Sequence, residues 1–352
     1  MLFYVVRRLA WTVVTLAVVT LITVVIFLAI PNTAASRQGL VAPDLQTQWN
    51  LKGHSLPYQY AHFLDRIVLH WDFGHSLRQP ETVRTMMAKS LPVSVSLIIG
   101  GTILCLLIAF PIGLIAALRP RSLLSRGLMV FVLIGVSTHA VWLSLFFSYV
   151  FGSRLHWFPV AGYCDVYFHP NTGSACGGPR YWAYHLILPW FTFGLLFAAF
   201  YARMIRASVL ESLDEEYVRT ARAKGASERR VVQGHVLRNA MLPIVTMVGM
   251  DFAFAFVAVV FIETIYDLPG LGWTLYQALN ATDLPVIMGV TLVVCTCAVL
   301  GNLIADLTYC WVDPRVRLHS APSGEVPAPT FRRRSRAGAP PASPQRVPES
   351  AT

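Results

Sequence analysis

The sequence predicts an all-α membrane protein of six transmembrane helices with both termini in the cytoplasm. Three observations predict it. Apolar residues make up 55% of the chain and charged residues only 13%, with a mean hydropathy of +0.55, whereas soluble domains are about a quarter charged. The apolar residues gather into runs of about 20 or more, the length that crosses a bilayer as a helix. Basic residues cluster in alternate connections between these runs, which puts them on one side of the membrane as the positive-inside rule requires. In a soluble chain a net charge of +10 would point to nucleic acid. Here cytoplasmic loops and an Arg-rich tail account for it, and no nucleic-acid partner is expected.

Met1–Arg8 is short and basic, and Leu9–Ile30 is an uncharged run that Arg7 and Arg8 hold from the inside. A cleaved signal peptide is the rival reading. The run is longer than a signal's apolar region and Thr33–Ala35 is a weak cleavage site, so a retained first span is favoured. Residues 1–30 thus form the N-terminus and first span, and residues 31–90 an extracytoplasmic loop too polar to cross. Within that loop Leu56–Leu77 spaces Tyr60, Phe63, Leu64, Ile67 and Val68 as one helical face, with Trp71 and Phe73 expected at headgroup depth. Glu81–Lys89 reads as a second short amphipathic helix. Packing as a lid on the spans is favoured over a separate domain.

Residues 91–312 carry the other five spans. Leu91–Leu118 has Pro92 in its first turn, where a missing N–H costs little, and Pro111 inside, where a kink is expected. Arg119, Arg121 and Arg126 mark a cytoplasmic loop. Leu128–Phe151 is the third span and Tyr184–Met204 the fourth, the latter behind a belt of Tyr181, Trp182 and Tyr184. Met241–Ile265 is the fifth. Tyr266–Asp283, with Pro269, Gly270 and Gly272, must turn or re-enter before the sixth span, Leu284–Val312. Residues 313–352, rich in Pro, Ser, Ala and Arg, are expected to be a disordered cytoplasmic tail whose Arg332–Arg336 run is solvated or touches anionic lipid.

The chain has six cysteines. Cys105, Cys295, Cys297 and Cys310 lie in apolar segments and read as small hydrophobes. The Cys295–Cys297 spacing is too short and too apolar for zinc, and no metal site is expected. Cys164 and Cys176 share an extracytoplasmic loop, where a disulfide and two free thiols are both open.

The longest charged run between spans is Glu211–Pro243, which with Arg203 and Arg206 just before it has eight basic residues up to Arg238. Ser212 and Glu215 have the spacing of a capping box that opens a helix. Gly225 is placed to close that helix in the left-handed conformation, and Ser227 to cap a second. A helix–Gly–helix elbow over residues 205–240 follows, with a small-sided apex at Ala221, Ala223, Gly225 and Ala226 suited to a groove on a soluble partner.

Glu216–Gly225 (EYVRTARAKG) and His235–Pro243 (HVLRNAMLP) resemble the cytoplasmic coupling loop of ABC importer permeases, more closely the dipeptide/oligopeptide/nickel branch. The wider pattern is matched at Arg219, Thr220, Ala221 and Gly225, while the closing proline comes late, at Pro243, as in that branch. Tyr4–Leu16, Phe261–Gly272 (FIETIYDLPGLG) and Asn302–Arg317 carry the resemblance along residues 1–317. The resemblance implies type I importer architecture in the inner membrane of a prokaryote. Glu216, Arg219, Thr220, Ala221, Ala223, Lys224, Gly225 and Ala226 would couple the chain to an ATPase. The implied partners are a second homologous permease subunit, two ATPase subunits, an extracytoplasmic substrate-binding protein and the lipid bilayer. No cofactor is expected on this chain. Its lysines are Lys52, Lys89 and Lys224, none in a phosphate-binding loop, so ATP and Mg would sit on the partner ATPases and the chain would not itself be an enzyme.

Within the membrane, Asp251 is a costly charge that faces either a substrate's positive group or another span. Phe252, Phe254 and Glu263 complete the candidates for the substrate pathway, with Glu263 also read as a gate or turn anchor. Phe252, Phe254 and Phe256 replace a Gly-rich run common in the branch, and Ser137–Ala140 stands where the branch commonly has a proline. Three aromatics at a spacing of two cannot share one helical face. His139 reads as a core histidine, and Asn302 and Asp306 as helix–helix contacts. Gly249 and Gly289 are candidate close approaches. The function expected is half of a translocation pathway for di- or oligopeptides. The alternatives are nickel or another small solute, or a secondary transporter, for which the internal repeat is missing.

Overall fold

A computed structural model describes residues 2–29, 55–136, 138–167 and 176–312. The tail at 313–352, its Arg run, the whole 31–54 segment, residues 168–175 and Ser137 lie outside the described residues. So do the side chains of Phe252, Asp306 and Cys310.

The first apolar run is helix α1 (Leu2–Ala29). It packs on the last helix and leaves Trp11, Val13 and Val18 exposed, as a helix in contact with lipid would. The next segment folds as α2 (Leu56–Leu64), continued by a π-helical turn at Asp65–Leu69. Tyr60 Oη donates to the Ala17 carbonyl at 3.0 Å and pins α2 to α1. Trp71 is 62% exposed but Phe73 only 5%. Phe73 is therefore core, not an interfacial anchor, because the chain turns inward between the two residues.

Glu81–Lys89 does not form a separate helix. Thr82 accepts from the Thr85 N–H and opens α3 (Val83–Leu118), a single helix of 36 residues that absorbs the second span. Pro92 accordingly lies inside the helix and not in its first turn. A short connection leads to α4 (Leu123–Val136), then α5 (Ala140–Phe147), which runs into a π-helical segment at Ser148–Arg154. The third span is thus broken where a continuous helix is expected. The fourth span is α6 (Pro179–Asp214), again 36 residues. After the elbow come α9 (Leu237–Tyr266), the short α10 (Leu271–Ala281) and α11 (Leu284–Val312). Four described helices are long and apolar enough to cross a membrane, and a fifth if α9 with its approach is counted as one span bent by 63° between Gly249 and Phe254.

Helices α3 and α6 form the axis. Lipid tails are as apolar as leucine, so spans associate through close packing. Gly101, Cys105, Ala109 and Gly113 recur every four residues on α3 and meet Gly194, Ala198 and Ala202 of α6. A Cβ on Gly113 would fall 2.7 Å from the Ala202 carbonyl oxygen, and one on Gly194 3.1 Å from the Cys105 nitrogen. Gly289 does the same for α11, where a Cβ would meet Val83 at 2.6 Å. The buried residues fall into two clusters. One gathers Phe63, Phe73, Val83, Ile262, Tyr266 and Leu271 around α10. The other gathers Ala202, Ile205, Val209, Val218, Val231 and Ile244 behind the elbow, at the opposite end of α9.

Candidate functional site

The elbow is built differently from the capping box that Ser212 and Glu215 suggest. Helix α6 continues straight through Ser212, which is buried, and ends only at Asp214. Glu215 turns extended (φ −68°, ψ 147°) and is itself the cap residue of α7 (Glu216–Ala223), with no side-chain hydrogen bond. The physical reason is burial: Val209 and Ser212 pack on the α9 side, and Ser208 Oγ donates to the Ala240 carbonyl at 2.9 Å, so α6 keeps its register to the end.

The glycine closes α7 as its position requires. Gly225 sits at φ +80°. Its N–H donates to Arg222 O at 2.9 Å and that of Ala226 to Ala221 O at 3.2 Å. These are the two bonds of a Schellman motif. Ser227 then caps the short α8 (Glu228–Val231) through its backbone, followed by a π-helical turn at Val232–Val236. Arg222 Nε reaches Glu228 at 2.8 Å and ties the arms together, which holds the Arg222 guanidinium above its ordinary pKa. The inner face is fixed by Val218, Val231 and Val236, all fully buried. Glu216, Arg219, Thr220, Ala223, Lys224 and Gly225 are exposed, while Ala221 and Ala226 are half-buried against the core. The elbow is a rigid corner with a small-residue edge and a basic surround.

Helices α3, α6 and α9 line a cavity of about 230 Å³, with Thr102, Cys105, Phe197, Tyr201, Asp251 and apolar neighbours in its wall. Asp251 sits at the bend of α9, half-buried, and accepts from Tyr201 Oη at 2.7 Å. Phe254 is 69% exposed and Phe256 3%. These two aromatics therefore divide between an outward face and the core, while Asp251 lines the cavity.

Glu263 is fully buried and lines no described cavity. Its carboxyl oxygens accept from Ser94 Oγ at 2.6 Å and from the N–H groups of Gly272 at 2.8 Å and Trp273 at 3.1 Å. It caps α10 from nine residues upstream in the chain. The chain between is folded back by Asp267, which takes the left-handed conformation at φ 52°. Gly270 has no room for a Cβ, which would collide with the Glu263 carboxyl group. Ser94 also accepts from Leu271 N at 2.8 Å, and Ser90 bonds Thr274 at 2.8 Å. Together these side chains clasp the α9–α10 corner to α3. The turn-anchoring reading of Glu263 is the one this geometry supports.

His139 is exposed and not a core residue. It occupies the break in the third span and caps α5, with Nδ1 accepting from Val141 N at 3.3 Å and its ring edge-on to Phe261. Asn302 is exposed on α11. Cys164 and Cys176 are joined by a disulfide, which brings Asp165 and Gly177 together. His185 places a ring nitrogen within 4.8 Å of both sulfurs, but sulfurs bonded to one another are not thiolate ligands. Nearby, burial pushes the Tyr163 hydroxyl up to about 12, with Asp165 adding to the shift. The clasp at Ser90, Ser94 and Glu263 is absent from any pattern legible in the sequence. The one signal for it is a lone glutamate followed by a Pro-Gly turn.

Residues 109–318 match the family described as binding-protein-dependent transport system inner membrane component. Among relatives, a protein of Brucella suis named as a peptide permease is 37% identical over 289 residues, 82% of this chain and 87% of that protein. One of Sinorhizobium fredii named as a peptide ABC transporter permease is 34% identical over 322 residues, 89% of this chain and 99% of its own. The oligopeptide transport system permease protein AppB of Bacillus subtilis is 33% identical over 319 residues, 89% and 98% respectively.

Proposed function

Because the chain belongs to the binding-protein-dependent transport system inner membrane components, we propose that it is the permease subunit of an ATP-driven peptide importer. The names of its relatives support peptides as cargo. The observation that carries the mechanism is the elbow, a corner held by a Schellman motif and an ion pair yet exposing Ala223, Lys224 and Gly225. A rigid edge of this kind transmits force. It docks into a cleft of a separate ATPase, which holds the ATP and Mg. Closure of two such ATPases pushes α6 and α9 through the core behind the elbow and turns access from one side of the membrane to the other.

In this reading the elbow end is cytoplasmic, together with both termini, and the α10 end faces outward toward a substrate-binding protein. Residues 1–30, 31–90, 91–312 and 313–352 are the first span, outer loop, main transmembrane unit and tail. The broken α4–α5 pair counts as one crossing, for six in all. A second homologous permease supplies the other half of the pathway, and the outward-facing Phe254 is directed at it. Asp251 is the pathway residue for a cargo's positive group.

Competition uptake tests the cargo. In a strain lacking its own peptide permeases and supplied with this transporter, unlabelled di- and oligopeptides should block uptake of a labelled dipeptide while nickel does not. Competition by nickel alone would replace peptide by metal as the cargo.

A further inference from the structure

A second polar cavity of about 330 Å³ lies at the α10 corner, at the opposite end of α9 from the elbow and apart from Asp251. Residues 76–90, Pro269 and α10 wall it, and its lining carries both signs of charge: Arg78 and Lys89, Glu81 and Asp283. Lys89 and Glu81 satisfy one another at 2.9 Å. Among the described residues, that leaves Arg78 as the cation and Asp283 as the anion of the lining without an ion-pair partner.

Asp283 is 3% exposed. Its Oδ2 accepts from Ser76 Oγ at 2.5 Å and Leu77 N at 3.1 Å, while Oδ1 is buried with no hydrogen-bond partner among the described residues. An aspartate just before a helix normally accepts from the N–H of the second or third helical residue; the second residue of α11 is Pro285, which has none. A buried carboxyl oxygen without a donor is destabilising and marks a place where a donor is wanted. Arg78 is exposed and engages only its Nε, with the Ala281 carbonyl at 3.4 Å. Gln277 on α10 adds an exposed amide to the lining.

We propose that this cavity binds the charged termini of a short peptide, with the ammonium group on Asp283 and the carboxylate on Arg78. The inference rests on the peptide-importer reading and adds to it a first acceptance site on the outward side. The cavity's volume suits a small zwitterion, and its balanced charge recognises a molecule with both ends ionised. The site is also joined to the elements that pack around the α10 corner. Asp283 holds the 76–77 strap, and Thr274 in the same wall holds Ser90 of α3. Occupancy therefore acts on the contacts that fix the corner.

The test is a titration of the intact chain in lipid nanodiscs with dialanine, N-acetyl-dialanine and dialanine amide. The signal is the emission of Trp273, which lines the cavity, with Trp273→Phe giving the background. Dialanine should saturate, and each blocked peptide should bind at least about tenfold more weakly. Arg78→Ala, at an exposed position with one long hydrogen bond, should bring dialanine down to the level of its amide. Asp283→Asn should bring it down to the level of the acetylated peptide. Equal binding of all three peptides, no saturable signal, or an Arg78→Ala variant with unchanged discrimination would each overturn the site. Uptake in cells separates the two readings. A transporter that imports dialanine while the titration stays flat refutes the site alone, and one that imports no peptide refutes the importer reading whatever the titration gives.

Discussion

Two carboxyl groups on α9 stand in opposite circumstances. Glu263 is fully buried with three donors around it; Asp251 is half-buried with one donor, Tyr201, and a cavity beside it. Glu263→Ala strands two backbone N–H groups and the Ser94 hydroxyl in the interior. At about 1–3 kcal/mol for each group left unsatisfied, it should cost at least about 3 kcal/mol and lower the thermal midpoint of the purified chain in detergent. An unchanged midpoint would mean that water replaces the carboxyl group. Asp251→Asn keeps an acceptor for Tyr201, so stability should hold. The loss should appear in transport, as a KM for peptides with a free amino end raised about tenfold, with no change for N-acetylated peptides. If both respond alike, Asp251 serves only to tie α9 to α6. The sequence makes both residues visible, since charges are rare in apolar runs. It does not separate them, because what separates them is Ser94, 169 positions from Glu263 in the chain.

At the scale of elements, the elbow shows where local pattern reading succeeds and where it fails. Gly225 is legible because a left-handed residue is a local necessity. Ser212 and Glu215 mislead because a capping box is equally compatible with a helix that runs on, and burial of Ser212 and Val209 decides for the latter. Glu81–Lys89 fails for the same reason, its amphipathic face being simply the first turns of α3. The glycine permits a test of docking. Nothing lies within 4 Å of a Cβ built on Gly225, so within this chain an alanine there costs only the left-handed conformation, about 1 kcal/mol. Gly225→Trp meets no additional obstacle unless an ATPase surrounds the apex. Alanine should therefore reduce ATP-driven uptake mildly, while tryptophan abolishes uptake and co-purification of the ATPase with the chain's own thermal midpoint nearly equal in the two variants. Equal uptake by the two would remove the apex from the interface. Glu228→Gln, which breaks an exposed ion pair worth less than about 1 kcal/mol, should leave folding unchanged.

The count of crossings belongs to the whole molecule, and the third span decides it. Hydropathy along residues 128–151 reads as one continuous helix, whereas α4 ends at Val136 and α5 begins at Ala140. Composition is blind to such a break because apolar residues flank it on both sides. What makes it tolerable is tertiary. Irregular backbone at membrane depth survives only where protein covers it or satisfies its polar groups. Here His139 caps α5, its carbonyl accepts from Leu143 N at 3.1 Å, and Gly135 packs beside Ala199 of α6. Tyr266, fully buried, bonds both Thr192 of α6 at 3.0 Å and the Ser144 carbonyl of α5 at 3.2 Å, which fastens the second half of the span to the bundle. If the broken pair is the crossing proposed above, its neighbours hold it in place and not its own helicity. His139→Ala should then cost about 1 kcal/mol as a lost cap, and His139→Asn, a good cap, should restore most of it. Tyr266→Phe removes both fastening bonds and should be the more damaging change. The readout is orientation: on a background without native cysteines, a single cysteine at Arg121 and another at His156, the exposed positions on either side of the broken pair, should react with an impermeant thiol reagent from opposite sides of the membrane. If both react from the same side, the α4–α5 segment does not cross, and the count of six falls.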